Sequence, residues 1–402
     1  MNKLPTNWKE VKLGDIIDII MGQSPKSQFY NKDKEGMPFL QGSSTFGHLY
    51  PSFEVYSNDI KKIAVNGSVL MSVRAPVGDL NMANTDICIG RGLCSINGKN
   101  KSLNRYIFYL LNYYKAKIVN IQTGTVFGAI SKDNILNFKV SIPQSEAEQK
   151  RIASILSSFD DKIELNNKTN KILEEMAQTI FEEWFINFNF PTANGKPYKK
   201  SGGEMIGSEL GEIPKGWKIL TLKDIVNIVK GKKPTATNDK ITKKFTMPYL
   251  TIDCYNNEKS EYAEYNEKMH VKELDIVMIM DGNAGRIFYG KEGILSSTMA
   301  KFVIEDENLN EIVFNFLKSI EYDLMYHTVG SVIQHADKQY ILNKKFCVPE
   351  NNLKRLSDIF EEIRRKVALN KKENQKLSGI RDSLLPKLMN PKGRRADGRF
   401  RI

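Results

Sequence analysis

The chain carries the same passage twice. WKEVKLGDIIDIIMGQSP (8–25) returns as WKILTLKDIVNIVKGKKP (217–234), so that Trp8, Leu13, Gly22 and Pro25 meet Trp217, Leu222, Gly231 and Pro234 at one constant offset. MPFL (37–40) matches MPYL (247–250), Gly78 matches Gly285, and TGTVFGAISKDNILNFKVSIP (123–143) aligns without a gap to VGSVIQHADKQYILNKKFCVP (329–349). KRIASIL (150–156) then aligns with KRLSDIF (354–360). Four ordered blocks make this a duplication, and a unit of roughly 200 residues is far too long for a solenoid repeat. Whatever one copy folds into, the other must fold into as well.

Within each copy, β-branched runs such as GSVLMSV (67–73) and DIVMIM (275–280) alternate with Gly, Pro and Asn, while LNRYIFYLLNYYKAKIV (103–119) has helical spacing. The expected fold class is α+β: two tandem-repeat α+β domains, each with a curved sheet and prominent loops, each followed by a long helix. The expected boundaries are 1–145 for the first domain, 146–188 for a central helical region and 189–215 for a linker. They continue with 216–349 for the second domain, 350–390 for a distal helical region and 391–402 for a basic tail.

Each long helix has the seam of a coiled coil. In the first, Ile152, Leu156, Phe159, Ile163, Asn166, Asn170, Leu173, Ala177, Ile180 and Trp184 follow in alternating steps of four and three. In the second, Leu356, Phe360, Ile363, Val367, Asn370, Asn374, Leu377, Arg381, Leu384 and Leu388 repeat those steps. Asn occupies two successive seam positions midway along both. Antiparallel pairing brings the four Asn together at a pseudo-twofold centre, where buried polar groups fix register at a cost in stability. It would place the domains at opposite ends of a rod, an arrangement suited to two DNA half-sites at a fixed spacing.

Composition narrows the partners. The net charge is +12, from 59 basic and 47 acidic residues, and nucleic acid is the simplest partner for such a surplus. The N-terminus has no apolar signal segment and no run is long enough to span a bilayer, so a cytoplasmic protein without a membrane partner is expected. Cys88, Cys94, Cys254 and Cys347 are scattered, which suits reduced thiols rather than a zinc site. The four histidines show no metal-ligand spacing, and Asp160-Asp161 reads as a solvated face of the first helix. GRIFYGKE (285–292) has Glu292 where a phosphate-binding loop needs Ser or Thr. No catalytic residue and no metal site is expected.

Together these features resemble the specificity (S) subunit of type I restriction-modification systems. The resemblance is carried by LPTNWKEVKLGDI (4–16), GEIPKGWKILTLKDI (211–225), SVRAPVGDL (72–80), IGRGL (89–93) and the segment IPQSEAEQKRIASIL onward to Phe185. It implies a subunit without chemistry of its own, whose two target recognition domains read the halves of a bipartite double-stranded DNA target. It implies helices that set the spacer and dock two methyltransferase (M) subunits, with restriction (R) subunits joining indirectly. S-adenosylmethionine, ATP and Mg would be held by those partners, and this chain would bind no cofactor. The rival reading is a stand-alone bipartite DNA-binding regulator. The second copy has MDGN (280–283) where the first has VRAP, so a role for Arg74 does not carry over to it.

Base reading needs polar side chains on loops that enter a groove, with phosphate contacts to set register. In the first domain the candidates are Gln23, Ser24 and Lys26, then Gln41, Ser43 and Ser44, then Arg74, then Thr125, Ser131 and Lys132. In the second they are Lys230, Lys232, Lys233, Lys243 and Lys244, then Arg286, then Ser331, Gln334 and Lys338. The segment TIDCYNN (251–257) is the fourth loop there. The six lysines of 230–244 against one Asp are the strongest electrostatic signal.

Overall fold

The computed structural model describes residues 5–120, 128–255, 261–330 and 334–391. The chain divides into two compact units, Met1–Leu165 with Glu373–Ile402, and Asn166–Lys372. Each unit therefore holds one copy of the repeat and a half of each long helix.

The two copies have the same strand plan. In the first, β1 (Trp8–Lys12), β2 (Ile17–Met21), β3 (Met37–Leu40), β4 (Val69–Ser72), β5 (Leu80–Met82), β6 (Ile87–Ile89) and β7 (Leu93–Gly98) lead into helix α1 (Asn104–Val119). Strand β8 (Lys139–Pro143) and the long helix α2 (Glu146–Phe181) follow. In the second, β9 (Trp217–Thr221), β10 (Val226–Lys230), β11 (Met247–Leu250), β12 (Ile276–Ile279), β13 (Ile287–Phe288), β14 (Gly293–Leu295) and β15 (Met299–Ile304) precede α3 (Asn310–Ser319), β16 (Lys345–Pro349) and α4 (Leu353–Met389).

Strands β2-β7-β4-β5 form one antiparallel sheet, and β10-β15-β12-β13 form its twin. β1 pairs with β8 and β9 with β16, closing each copy on its own ends. β3 runs parallel to β6, and β11 to β14, inside a second sheet widened by short flanking strands. Among the described residues each copy thus has at least three sheets where one curved sheet is expected. The apolar runs are short and cut by Gly and Pro, so none extends far enough to carry a single sheet across the domain.

The inner strands alternate little, because both faces are covered. Val69, Leu70 and Met71 are all buried, as are Ile276, Val277 and Met278. On one face lies α1, whose Tyr106, Tyr109, Leu110 and Leu111 are buried; its counterpart in the second copy, α3, buries Ile312, Val313 and Leu317. The stretch 189–215, read as a linker, is built into the second unit: Phe190 lies 5.0 Å from Trp217 and Met205–Ser208 pairs with Gly211–Pro214.

The long helices pair antiparallel within each unit. In the first unit Ile152, Ala153 and Leu156 share a core with Leu384, Leu388 and Met389, and Lys162 meets Glu373 at 3.4 Å. In the second, Phe181 and Trp184 stand edge-on to Phe360 at 6.3 and 6.0 Å, and Glu174 meets Lys371 at 3.3 Å. Asn370 donates to Asn170 at 2.8 Å, both side chains buried, and Asn166 is buried as well. Seam residues Ile163, Leu356, Val367 and Ala177 are buried too, whereas Leu173, Asn374, Leu377 and Leu384 are half-buried.

Four expected seam positions are displaced by one residue. Phe159, Ile180, Trp184 and Ile363 are half-buried, while Asp160, Phe181, Phe185 and Arg364 hold the innermost places. A helix of 3.6 residues per turn drifts against a 3.5-residue seam, and each helix must also cover its own domain, which widens the buried stripe. α2 ends in one π-type turn, Glu182–Ile186.

Asp160 accordingly is not on a solvated face. It accepts hydrogen bonds from Tyr109 at 2.5 Å, from His48 at 2.9 Å and from Arg381. Next to it, Asp161 pairs with Arg105 of α1 at 2.8 Å. The second copy has the opposite polarity at the equivalent places. There the α3 residue is Glu311, aligned with Arg105, and the α4 residue is Arg364, aligned with Asp160; the two lie 3.3 Å apart, almost wholly buried. The Arg364 guanidinium also lies over Phe314 at 4.7 Å and Tyr289 at 5.3 Å. Burial pushes the Glu311 carboxyl up in spite of that guanidinium.

Burial alone would also raise the Asp160 carboxyl, but the hydrogen bonds from His48 and Tyr109 and the charge of Arg381 outweigh it and hold it below the usual range. A depressed carboxyl stabilises the folded state above its unfolded value of about 4, and that contribution disappears as pH falls through the lower folded value. Asp160→Asn should therefore lower stability at pH 7 by about 3 kcal/mol, since it leaves Arg381 without its buried partner. Its urea midpoint should also fall less steeply than the wild type's below about pH 4; parallel acid limbs would refute this role for Asp160.

Candidate nucleic-acid interface

The loops that join these strands converge in each unit. In the first, Gly22 follows β2 and lies so close to the β6–β7 turn that a Cβ would come within 2.1 Å of the Gly90 carbonyl. Beyond it, the Ser24 hydroxyl donates to Gln41 at 2.8 Å and accepts from the Arg91 N–H at 3.2 Å. Ser43 reaches Asp79 at 3.2 Å, and Asp79 in turn pairs with Lys115 at 2.9 Å. The loop after β4 is bound on both sides, through Val73 N–H to Gly92 and Ile130 N–H to Val73. Arg74 is exposed there and bridges, backbone to backbone, to Ala129. All four segments singled out by loop chemistry thus meet in one cluster.

Not every candidate in that cluster is equally free. Gln23, Lys26, Ser44, Arg74 and Lys132 are exposed. Ser131 accepts from the Asn134 N–H at 3.2 Å, capping the one-turn helix Lys132–Leu136, so its hydroxyl serves the local backbone. Thr125 and Ser331 lie outside the described residues, as does the tail from 392 onward. Arg91, exposed between Gly90 and Gly92, joins the cluster although loop chemistry passes it over; its signal is a cation between two glycines.

The second unit rebuilds this frame with other side chains. A Cβ on Gly231 would come within 2.0 Å of the Ser296 carbonyl, the same close crossing as at Gly22. Asp281 takes the place of Arg74 and bridges to His335, which takes the place of Ala129. Gly282 donates to the Gln334 carbonyl and Ala336 to that of Met280. The Asp281 carboxylate holds His335 Nδ1 at 2.7 Å and Lys230 Nζ at 2.9 Å, tying three of the candidate segments together. Burial would raise that carboxyl; the hydrogen bonds from His335 and Lys230 outweigh it and hold it low.

Lys232, Lys233, Lys244, Lys268, Phe245 and Tyr265 line a cleft of about 490 Å³. Lys243 and Lys338 are exposed outside the cleft, and Arg286 is exposed at the start of β13. The segment 251–257 departs from expectation. Ile252–Tyr255 forms a helical turn capped by Thr251, with Cys254 buried and Asp253 exposed, so its described part is a turn of helix rather than an open loop.

The remaining chemistry is sparse. Glu292 pairs with His270 at 3.0 Å and is followed directly by β14, so no helix follows the GRIFYGKE segment to receive a phosphate. The four cysteines are free and buried; burial pushes the Cys94 thiol up to about 12 and that of Cys347 up to about 11, far from a reactive thiolate. Among the described residues no three His, Cys, Asp or Glu side chains come together as a metal site, and no helix is long and apolar enough to cross a membrane.

Comparison with known proteins places this duplicated frame. The family model described as type I restriction modification DNA specificity domain matches residues 5–175 and again 214–378. The chain belongs to that family. It is 25% identical, across 97% of its own length and 94% of the relative's, to the type I restriction enzyme MjaIX specificity subunit of Methanocaldococcus jannaschii. A second relative from that organism, provisionally named the type I restriction enzyme MjaX specificity subunit, is 44% identical over 183 residues, which cover 45% of this chain and 43% of the relative. The solved S subunit of a type I restriction-modification system from M. genitalium shares the fold, with a TM-score of 0.61 over 97% of each chain at 16% identity. The chain is thus a type I specificity subunit with two specificity domains and two long helices.

The paired glycines give a direct check on the shared frame. Gly22→Ala and Gly231→Ala should each lower stability by about 1–3 kcal/mol, because the added methyl meets backbone that has no room to shift. Chemical denaturation of each variant measures this, and a neutral Gly231→Ala would show that the crossing is looser than its geometry implies.

Proposed function

We propose that this specificity subunit reads a bipartite duplex target, one part with each recognition domain, and seats two methyltransferase subunits on its helices. Restriction subunits join through those partners. S-adenosylmethionine, ATP and Mg act on the partner subunits, and this chain supplies sequence recognition rather than bond chemistry. The observation that carries the reading is the repetition of one loop cluster on one backbone frame with different side chains at matching places. Arg74 and Ala129 in one copy answer to Asp281 and His335 in the other. Two readers built alike but faced differently suit two unlike half-sites.

The helices support the partner count. Leu165 and Leu369 occupy equivalent places in the two copies and are 58% and 61% exposed; Met176 and Ile380 are likewise equivalent and 48% and 47% exposed. Exposed apolar side chains that recur with the repeat are what two copies of one partner would cover.

The decisive experiment is to express the chain with its methyltransferase partner and map methylated bases in the host genome. One two-part motif with a fixed gap is the expected result. Methylation by the chain alone with S-adenosylmethionine would overturn it, and tight specific binding without any partner would favour a stand-alone regulator. Affinity of the complex for DNA should fall steeply with salt. Leu165→Glu and Leu369→Glu should each reduce the complex from two methyltransferase subunits to one, read as the mass of the purified assembly, while leaving the fold intact.

A further inference from the structure

The side chains of the histidine-bearing cluster in the second domain have a geometry that loop chemistry does not anticipate. A carboxylate only accepts hydrogen bonds, so the proton shared with Asp281 sits on His335 Nδ1, and the ring is fixed with Nε2 on its opposite edge. The His335 side chain is 49% exposed, whereas Asp281 beneath it is 21% exposed. The backbone bridge between residues 281 and 335, and the bonds from Gly282 and Ala336 across it, hold both in place. Lys230, at the end of β10, is bound to the same carboxylate and keeps further N–H donors for solvent.

We propose that His335 is a specificity-determining residue of the second domain, contacting one base edge through Nε2, with Asp281 as its positioning residue and Lys230 on the adjoining phosphate. The proposal rests on the reading of this domain as a DNA reader and adds which of its residues selects a base. In the first domain the corresponding pair is Arg74 and Ala129: a long cation opposite a methyl group. There the reaching group stands on the loop after β4. In the second domain it stands on the facing segment, and the loop residue has become its support. A single imidazole on a rigid mount suits one base pair, because it offers one hydrogen bond at a fixed place.

The test uses the full chain with its methyltransferase partner, and the methylated motif is mapped genome-wide. His335→Ala should relax one position of one half of the motif, with discrimination there falling about tenfold, while the other half and the gap stay unchanged. Asp281→Ala should relax the same position, because the ring then loses its orientation. Lys230→Ala should slow methylation equally at all sites and leave the motif intact. Arg74→Ala should relax a position in the opposite half. An unchanged motif in His335→Ala, or a uniform weakening at every site, would overturn the proposal. A wild-type chain that gave no two-part motif would instead remove the DNA-reading function itself, and the proposal with it.

Discussion

A charge taken out of water must find its opposite, and that requirement governs how each domain of this chain sits on its helix. Asp160 is almost wholly buried and is met by a tyrosine, a histidine and an arginine drawn from three separate stretches of sequence. Arg364 is equally buried and is met by Glu311 and two aromatic faces. Apolar packing would let a helix slide or turn by a step at little cost. A buried ion does not, since any other register leaves it alone in a medium that solvates it poorly. The Asn170–Asn370 hydrogen bond acts in the same sense between the helices, at one fixed register.

With the helix register fixed, the frame of each domain follows from backbone rather than side chains. β1 and β8, or β9 and β16, close the domain on itself, and a glycine at the end of β2 or β10 lets the chain pass hard against the neighbouring turn. The loops then have little freedom in where they start and finish. What varies is the chemistry they carry: serine, glutamine and arginine in one copy, lysine, aspartate and histidine in the other. Separation of frame from face allows one fold to carry two different sets of loop chemistry.

Much of this is legible in the sequence. The offset of the repeat, the long helices and their central asparagines can all be read from spacing, because a duplicated chain reports each element twice. The convergence of the loops is legible only in part, since loop chemistry names polar residues without saying which bind the protein itself. Ser131 caps one short helix and Thr251 another. Asp160 reads as solvated from spacing alone because a one-residue shift in the buried stripe is invisible to a strict seam. His335 escapes such a reading because a histidine gains meaning from its partner, and Asp281 lies more than fifty residues away.

The reversed polarity of the two docking faces bears on how such a protein can change over time. Arg105 faces Asp161 in the first copy, whereas Glu311 faces Arg364 in the second. Were a recombination event to graft the first domain onto the second helix, two cations would be pressed together inside the protein; the reverse graft would press together carboxylates. A graft that carries each domain together with the helix residues facing it keeps those pairs matched, so domain and mount change most easily as one heritable cassette.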